Sequence, residues 1–153
     1  RLIPNMSKVF KLGITNKNNQ AIAEKEFIEV IANKGVVGDR HFKDFNDPYC
    51  QLSLIESENI DYYNTRYGLN IPYINFRRNI VTKGVQLNDL VGKKFSIGNV
   101  KVEGIDLCRP CRHLTEVLNQ PNVLKEFLRR GGLRCQILNS SKISINDEIK
   151  ILD

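Results

Sequence analysis

Two cysteines, Cys108 and Cys111, are separated by only two residues within a cationic segment of the chain. The thiolate form of cysteine attacks electrophiles, binds metal ions or accepts sulfur, and neighbouring positive charge lowers the pKa of a thiol. That charge would come from three adjacent side chains: Arg109, Arg112 and His113. The segment therefore predicts a reactive thiol, and the spacing allows one cysteine to resolve a persulfide on the other by forming a disulfide. A purely structural role for Cys108 stays open at this point.

The other two cysteines, Cys50 and Cys135, lie in segments whose apolar residues alternate as in a β-strand. We interpret both as small buried hydrophobic residues. Four cysteines in a chain of 153 residues do not form the dense pattern of a secreted disulfide framework. A structural zinc site would need further cysteine or histidine ligands beside the thiol pair, so we expect no zinc.

Basic residues concentrate in the part of the chain that holds the thiol pair. The whole chain has a net charge of +6, whereas the segment from Arg77 to Arg134 contains 12 basic and 5 acidic residues, a net +7. Such a segment attracts a negatively charged ligand, whether phosphate, an oxyanion or nucleic acid. A basic nucleic-acid-binding β module is the main non-enzymatic alternative. We do not favour it, because aromatic residues make up only 8% of the chain and none interleave with basic residues as base stacking requires.

Three consecutive residues, Arg77, Arg78 and Asn79, are candidates for an anion pocket. Arginine offers paired hydrogen bonds to phosphates and other oxyanions. If these residues lie in a strand, alternation directs only one of the two arginines into the pocket, and we favour Arg78. The alternative is an ion pair between one of these arginines and a carboxylate such as Asp39. Arg134 is a further candidate cation.

A turn from Gly35 to Asp39 precedes His41, one of the two histidines of the chain. Glycine allows a positive φ, and an aspartate side chain accepts hydrogen bonds from nearby backbone N–H groups. We therefore expect a shaped turn at this point. Because histidine titrates near neutral pH, His41 is a candidate proton donor or acceptor beside the thiol. A simple structural role for His41 also stays open.

The composition is that of an ordinary globular protein, with 41% hydrophobic and 26% charged residues. No apolar run approaches the roughly 18 residues needed to span a bilayer, and the first residues lack the apolar stretch of a secretory signal. We expect a cytoplasmic protein without a membrane partner. Residues 1–5 precede Met6 and are expected to be a leader, with residues 6–153 forming a single domain.

Short β segments dominate the chain and must position these candidate residues. Alternating or β-branched runs predict strands at residues 8–14, 27–31, 49–55, 79–82, 94–97, 100–105, 133–138 and 148–151. Tight turn signals separate several of them. Many short strands with frequent turns indicate a mainly β fold of the barrel or sandwich type.

Two or three short helices interrupt the strands. Ser57 is positioned to cap a helix that ends at Gly68. A second helix is predicted from about Asn122 to the glycines at 131 and 132, and a short helical turn is predicted at residues 113–118. The predicted buried face of the second helix consists of Val123, Leu124, Phe127 and Leu128.

A series of motifs along the chain resembles the MOSC family, the domain named after the C-terminal part of molybdenum-cofactor sulfurases. In chain order they are Gly35-Val36-Val37-Gly38-Asp39-Arg40-His41, Gln51-Leu52-Ser53-Leu54, Phe76-Arg77-Arg78-Asn79-Ile80-Val81, Gly84-Val85-Gln86-Leu87, Leu90-Val91-Gly92, Phe95-Ser96-Ile97-Gly98, Cys108-Arg109-Pro110-Cys111 and residues 131–134. The order and spacing of the motifs, and no single motif, constitute the resemblance, which covers roughly residues 8–152.

The resemblance implies a mostly β, barrel-like fold. It also implies either binding of molybdenum cofactor (molybdopterin) or carriage of sulfur as a cysteine persulfide for a metal–sulfur centre. Cofactor-binding relatives use a cysteine that matches Cys111, which makes Cys111 the expected metal ligand and reactive centre. The expected cofactor contacts are Arg77, Arg78, Asn79, Arg109, Arg112, His113, Arg134 and Asp39.

The resemblance also suggests which partners the chain would need. In fused relatives a pyridoxal-phosphate domain extracts sulfur from cysteine; this sequence contains no such domain, so we expect a partner such as a cysteine desulfurase to load it. Some free-standing relatives help cells to detoxify N-hydroxylated bases. On that interpretation the chain is the cofactor-binding partner of a reductase, since it contains no flavin or iron–sulfur motif of its own. Whether the chain is itself an enzyme stays open.

Overall fold

A computed structural model of the protein describes residues 7–17, 21–109 and 112–152, with the side chains of residues 112 and 113 excepted. The strands of these residues are β1 (Lys8–Ile14), β2 (Ala23–Lys25), β3 (Phe27–Ile31), β4 (Gly35–Val36), β5 (Leu52–Glu56), β6 (Ile80–Lys83), β7 (Lys94–Ile97), β8 (Val100–Leu107), β9 (Leu133–Ile137), β10 (Ser141–Ser144) and β11 (Ile149–Ile151). The helices are α1 (Ser57–Tyr67), α2 (Arg112–Leu118) and α3 (Val123–Glu126), with 3-10 turns at Tyr73–Phe76 and Leu87–Leu90. The predicted mainly β, barrel-like fold with two or three short helices is confirmed.

The strands form two sheets. The larger has the order β11-β7-β8-β9-β5-β6-β1-β2, and the smaller has the order β10-β3-β4. Among the described strand pairs, β5 and β6 run parallel, whereas the others are antiparallel. Parallel neighbours need a crossover connection, and α1 with the 3-10 turn that follows provides it. This crossover brings the starts of β5 and β6 side by side.

Strands β5 and β6 are buried on both faces, because successive side chains of a strand point to opposite faces. Leu54 and Ile80 belong to the core between the sheets, whereas their neighbours Ile55 and Val81 pack against the helices. The helix-side core also includes Ile60, Tyr63, Phe76, Leu114, Val123 and Phe127. Packing from both sides holds these two strands firmly in place.

Helix α1 ends as the sequence predicts but begins differently. Gly68 adopts the left-handed conformation at φ 63°, and its N–H bonds to carbonyls of the last turn. At the other end, Ser57 is the first helical residue and Glu56 occupies the capping position without a side-chain cap bond. The predicted Ser57 cap is therefore wrong by one residue.

Helix α3 is a single turn, and its buried face is narrower than the sequence predicts. Val123 and Phe127 are buried, but Leu124 and Leu128 are exposed, so that part of the prediction is wrong. Residues four apart share one helix face, and a helix this short presents only one such face to the core. No helix in the described part of the chain combines the length and the apolar composition needed to cross a bilayer.

Candidate functional site

One cavity of about 90 Å³ brings cationic and thiol side chains together. Its lining includes four arginines, one histidine and two cysteines: Arg40, Arg77, Arg78, Arg134, His41, Cys50 and Cys108. We call this cavity the arginine–thiol pocket. Its described lining contains four cationic guanidiniums and no carboxylate. A larger groove of about 640 Å³ at the end of α1 has neither a thiol nor a cationic side chain in its described lining.

The strand register explains why several of these residues meet. Ser53 in β5 lies opposite Arg134 in β9, and Asn79, directly before β6, is hydrogen-bonded to the same serine. The Oδ1 of Asn79 accepts from the Ser53 N–H at 3.2 Å, and its Nδ2 donates to the Gly13 carbonyl at 3.2 Å. Asn79 thus ties β1 to β5 and builds the pocket wall, and its predicted contact with a ligand stays a prediction.

Arg77 and Arg78 both line the pocket, which contradicts the expectation that only one of them does. That expectation assumed a strand, whereas both residues lie between the 3-10 turn at Tyr73–Phe76 and β6. Arg77 ends this turn in the left-handed conformation, with φ 66°. For a residue other than glycine this conformation costs about 1 kcal/mol or more, and such strain clusters at ligand sites. The strained backbone supports a functional role for the Arg77 side chain.

Arg78 and Arg134 each fix a backbone segment of the pocket and retain donors for a ligand. The Nε of Arg78 donates to the Gly131 carbonyl at 2.9 Å. The Nη1 of Arg134 donates to the Tyr49 carbonyl at 3.0 Å. Since a guanidinium carries five N–H donors, these bonds position the two cations without exhausting them.

Arg40 lies in the pocket wall and forms an ion pair with Asp39 behind it. Its Nη1 is buried and has no hydrogen-bond partner among the described residues, and it lies 3.7 Å from Oδ1 of Asp39. Burial lowers the pKa of Arg40, Asp39 raises it, and the nearby Arg77 and Arg78 lower it further. The Asp39 carboxylate partly compensates this buried charge through the ion pair. An oxyanion in the pocket would offset the repulsion among the arginines.

Asp39 lies behind the pocket and holds its cationic wall in place. Its Oδ1 accepts from the Thr15 N–H at 3.1 Å, and its Oδ2 accepts from the His41 N–H at 3.3 Å. Burial lowers the pKa of Arg77, and Asp39 opposes that shift, which supports the predicted pairing of an arginine with this carboxylate. Asp39 is absent from the described pocket lining, and its predicted contact with a ligand stays a prediction.

His41 lines the pocket at the end of the predicted turn, whose glycines have the expected positive φ: 132° at Gly35 and 84° at Gly38. Burial lowers the pKa of His41, and Arg40 lowers it further, while Asp39 raises it. The imidazole is therefore neutral at neutral pH and can accept a proton. Its role as a proton donor or acceptor stays a prediction.

Cys50 is not the core residue that the sequence predicts. It is half-buried, lies in a bend before β5 and lines the pocket. Asp47 forms the turn that delays the strand, since its Oδ1 accepts from the Tyr49 N–H at 3.2 Å. Burial raises the pKa of Cys50, and a hydrogen bond with Asp47 raises it further. Cys135, by contrast, is fully buried in β9 as predicted, and burial raises its pKa well above the usual range.

Cys108 is the described member of the predicted thiol pair, and it lines the pocket directly after β8. Only 2% of the residue is exposed, and its N–H donates to the Gly132 carbonyl at 2.7 Å. Gly131 allows this close approach, because a Cβ there would stand 2.6 Å from the Cys108 carbonyl oxygen. Gly132 has φ 110°, and a Cβ there would overlap the Leu54 carbonyl oxygen. The glycine pair thus seats the thiol against β5 and β9.

We expect Gly132→Ala to lower the free energy of unfolding by about 2 kcal/mol or more, since it combines strain at positive φ with a backbone overlap. Gly68→Ala is the matched control, because Gly68 also has positive φ, at 63°, but a Cβ there meets nothing within 4 Å. The control should lower the free energy of unfolding by only about 1 kcal/mol. Urea denaturation measures both. Equal losses would show that the close approach at Gly132 contributes nothing.

Several predicted residues fall outside this description. Cys111, the expected metal ligand and reactive centre, lies outside the described residues, as do the side chains of Arg112 and His113. Arg109 is described, but its side chain is 81% exposed, lies 3.9 Å from the Asp106 carboxylate and does not line the pocket. Among the described residues, no group of three or more His, Cys, Asp or Glu side chains could hold a metal ion.

Arg40 and Cys50 are the charged and thiol-bearing residues among the pocket residues that sequence reasoning missed; Tyr49, Leu52 and Ser53 also line the pocket. Arg40 directly precedes His41, a predicted site residue, in the predicted turn. This position could have identified Arg40 as a further cationic site residue. For Cys50, the signal was Asn46-Asp47-Pro48, a run typical of turns that should end the strand before the cysteine.

Comparison with known proteins identifies the family and the fold. The MOSC domain family model matches residues 38–150. The YUAD protein from Bacillus subtilis has a similar structure, with a TM-score of 0.81, 18% identity, and coverage of 95% of this chain and 94% of that protein. YiiM from Geobacillus stearothermophilus gives a TM-score of 0.77 at 14% identity, with coverage of 96% and 75%, respectively. YiiM from Escherichia coli gives a TM-score of 0.69 at 15% identity, with coverage of 97% of this chain and 69% of that protein. No curated protein matches the chain.

Proposed function

The chain belongs to the MOSC domain family, and from this premise we propose that it carries sulfur as a cysteine persulfide for the maturation of a metal–sulfur cofactor. The family is related to the C-terminal domains of molybdenum-cofactor sulfurases. The observation that supports the proposal most is the arginine–thiol pocket, in which Cys108 shares a small cavity with four arginines.

The chemistry of a persulfide suits this pocket. A cysteine that accepts sulfur must react as a thiolate, and the product is again an anion. Arginines at the wall stabilise both anions. Cys111, three residues after Cys108, is the carrier that the family resemblance implies, and transfer between the two thiols needs only thiol–persulfide exchange.

Binding of molybdenum cofactor is the second candidate, and the arginine cluster of the pocket favours it as well. The family is associated with this cofactor, and the guanidiniums of Arg40, Arg77 and Arg78 suit its phosphate. The pocket encloses about 90 Å³, whereas sites for larger organic ligands start at roughly 300 Å³, so it fits the anionic end of the cofactor and not the pterin. Bound cofactor would supply oxygen-atom transfer at molybdenum, as required of a reductase partner.

Loading by a cysteine desulfurase tests the carrier function. We expect the reduced protein, incubated with the desulfurase and cysteine, to gain the mass of one sulfur atom, and a thiol reductant should remove it. Cys50→Ser should load fully, because that thiol is not the proposed carrier. A double variant, Cys108→Ser with Cys111→Ser, should not load at all. Absence of any added mass on the wild-type protein would contradict the carrier function.

A further inference from the structure

The arginine–thiol pocket has the size of a small inorganic anion. Its volume of about 90 Å³ equals the space of about three water molecules in the liquid. A tetrahedral oxyanion fits that space. A pterin does not, and the persulfide of another protein would have to insert a whole side chain past the arginines.

The donors of the pocket are arranged for an oxyanion with two negative charges. Arg78 and Arg134 are anchored to backbone carbonyls at 2.9 and 3.0 Å, which holds their remaining N–H groups in fixed directions. Arg40 lines the same cavity and is held by Asp39 behind it, with Nη1 3.7 Å from Oδ1. Fixed guanidiniums bind tetrahedral oxyanions through paired, charge-assisted hydrogen bonds.

The two pocket thiols differ in their suitability as nucleophiles. Burial and a hydrogen bond with Asp47 raise the pKa of Cys50, which keeps it in the unreactive thiol form. Cys108 directly follows β8, and its carbonyl packs against Gly131. The carbonyl of Gly131 in turn accepts a hydrogen bond from Arg78. Arg134 is likewise anchored beside Cys50, through the Tyr49 carbonyl. What favours Cys108 is its place three residues before Cys111, the proposed carrier, together with the raised pKa of Cys50.

We propose that the pocket takes sulfur directly from a small anionic sulfane donor of the thiosulfate class, with Cys108 as the acceptor. This inference rests on the proposed sulfur-carrier function and specifies its donor. The sulfonate end of the donor occupies the arginine cluster, and its outer sulfur faces Cys108. A cysteine desulfurase then becomes one of two routes of loading.

The transfer step is balanced without a further reagent. The thiolate sulfur of Cys108 attacks the outer sulfur of thiosulfate, a new sulfur–sulfur bond forms, and the bond to the sulfonate sulfur breaks. The bonding electron pair leaves with sulfite. The proton of the Cys108 thiol passes to the neutral imidazole of His41, which lines the same cavity.

The test uses the reduced wild-type protein and thiosulfate, with no desulfurase present. We expect release of one sulfite per chain and a persulfide on Cys108, located by peptide mass spectrometry. Cys108→Ala should release sulfite about 100-fold more slowly or not at all, as expected when a nucleophile is removed. Cys135→Ala is the matched control, because it removes a thiol that does not line the pocket, and it should react like the wild type. An arylthiosulfonate, which carries the same reactive bond behind a bulky ring, should react far more slowly than thiosulfate.

The outcomes separate this inference from the proposed function. Loading by the desulfurase but not by thiosulfate overturns the inference and leaves the carrier function intact, whereas loading by neither donor overturns both. A persulfide on Cys50 or Cys135 after thiosulfate treatment, or one that appears on Cys111 before any is found on Cys108, overturns the assignment of Cys108. The peptide map of the wild-type protein decides this point even if the Cys108→Ala protein does not fold.

Discussion

Replacing Arg40 by Gln should weaken the binding of thiosulfate or sulfate about tenfold or more, because a hydrogen bond to a charged group contributes roughly 1.5–3 kcal/mol. Arg40 lines the cavity, and its guanidinium is held by Asp39, with Nη1 3.7 Å from Oδ1 of that carboxylate. The affinity of Arg40→Lys should lie between those of the wild type and Arg40→Gln, since lysine retains the charge but not the paired donors. Titration calorimetry at fixed ionic strength measures the Kd for each protein.

Lys93→Gln is the matched control for the loss of one positive charge. Lys93 is exposed and does not line the pocket, so its removal should change the Kd less than twofold, as expected for a screened surface charge. If Arg40→Gln and Lys93→Gln weaken binding equally, the anion responds only to the net charge of the protein, and the pocket is not its site.

Replacing Asp39 by Asn should lower the free energy of unfolding by about 3 kcal/mol or more, the usual result of removing one partner from a buried ion pair. The Asp39 side chain is 1% exposed and lies 3.7 Å from the Arg40 guanidinium. Its loss leaves Arg40 and Arg77 buried without their negative neighbour. Because asparagine keeps only one of the two side-chain oxygens, one of the N–H groups of Thr15 and His41 also loses its acceptor. Chemical denaturation measures the change.

Asp106→Asn removes a carboxylate from an exposed pair and serves as the comparison. Its partner Arg109 is 3.9 Å away and largely in solvent, where ion pairs contribute about 0–1 kcal/mol. A loss for Asp39→Asn no larger than for Asp106→Asn would mean that the buried carboxylate does not hold the cationic wall together.

The sequence predicts regular elements well where local patterns alone determine them. The bounds of β1, β3 and β7 agree with the predicted runs, and α1 ends at Gly68 as expected. The short strands β2, β4 and β10 have no clear alternation, and β2 is exposed along its whole length. Tertiary pairing, and not local preference, makes these segments into strands.

The candidate site was predictable in composition but not in geometry. The sequence points to Arg77, Arg78, Arg134, His41 and Cys108, and the structure places all five in one cavity. The sequence also predicts that strand alternation directs only one of Arg77 and Arg78 into the pocket. This is wrong, because a 3-10 turn that ends in a left-handed residue takes the place of the strand. Left-handed backbone at an arginine has no sequence signal, since any residue but glycine disfavours it.

The arrangement of the pocket depends on contacts far apart in sequence. Asp39 bonds to Thr15, and Asn79 joins Gly13 to Ser53. Such bonds follow from the strand order, which local sequence patterns do not determine. The contact of Asp39 with Arg40 is part of this network and places Arg40 in the pocket wall. In the sequence, Arg40 is identifiable only as the neighbour of His41.

The position of the sulfur after loading tests the central claim most directly. Trypsin cleaves poorly before proline, so Cys108 and Cys111 share the peptide of residues 102–112, while Cys50 and Cys135 lie in separate peptides. After desulfurase loading and alkylation, tandem mass spectrometry should find the added sulfur on the 102–112 peptide. Sulfur on the peptides of Cys50 or Cys135, with the 102–112 peptide unmodified, would contradict the account.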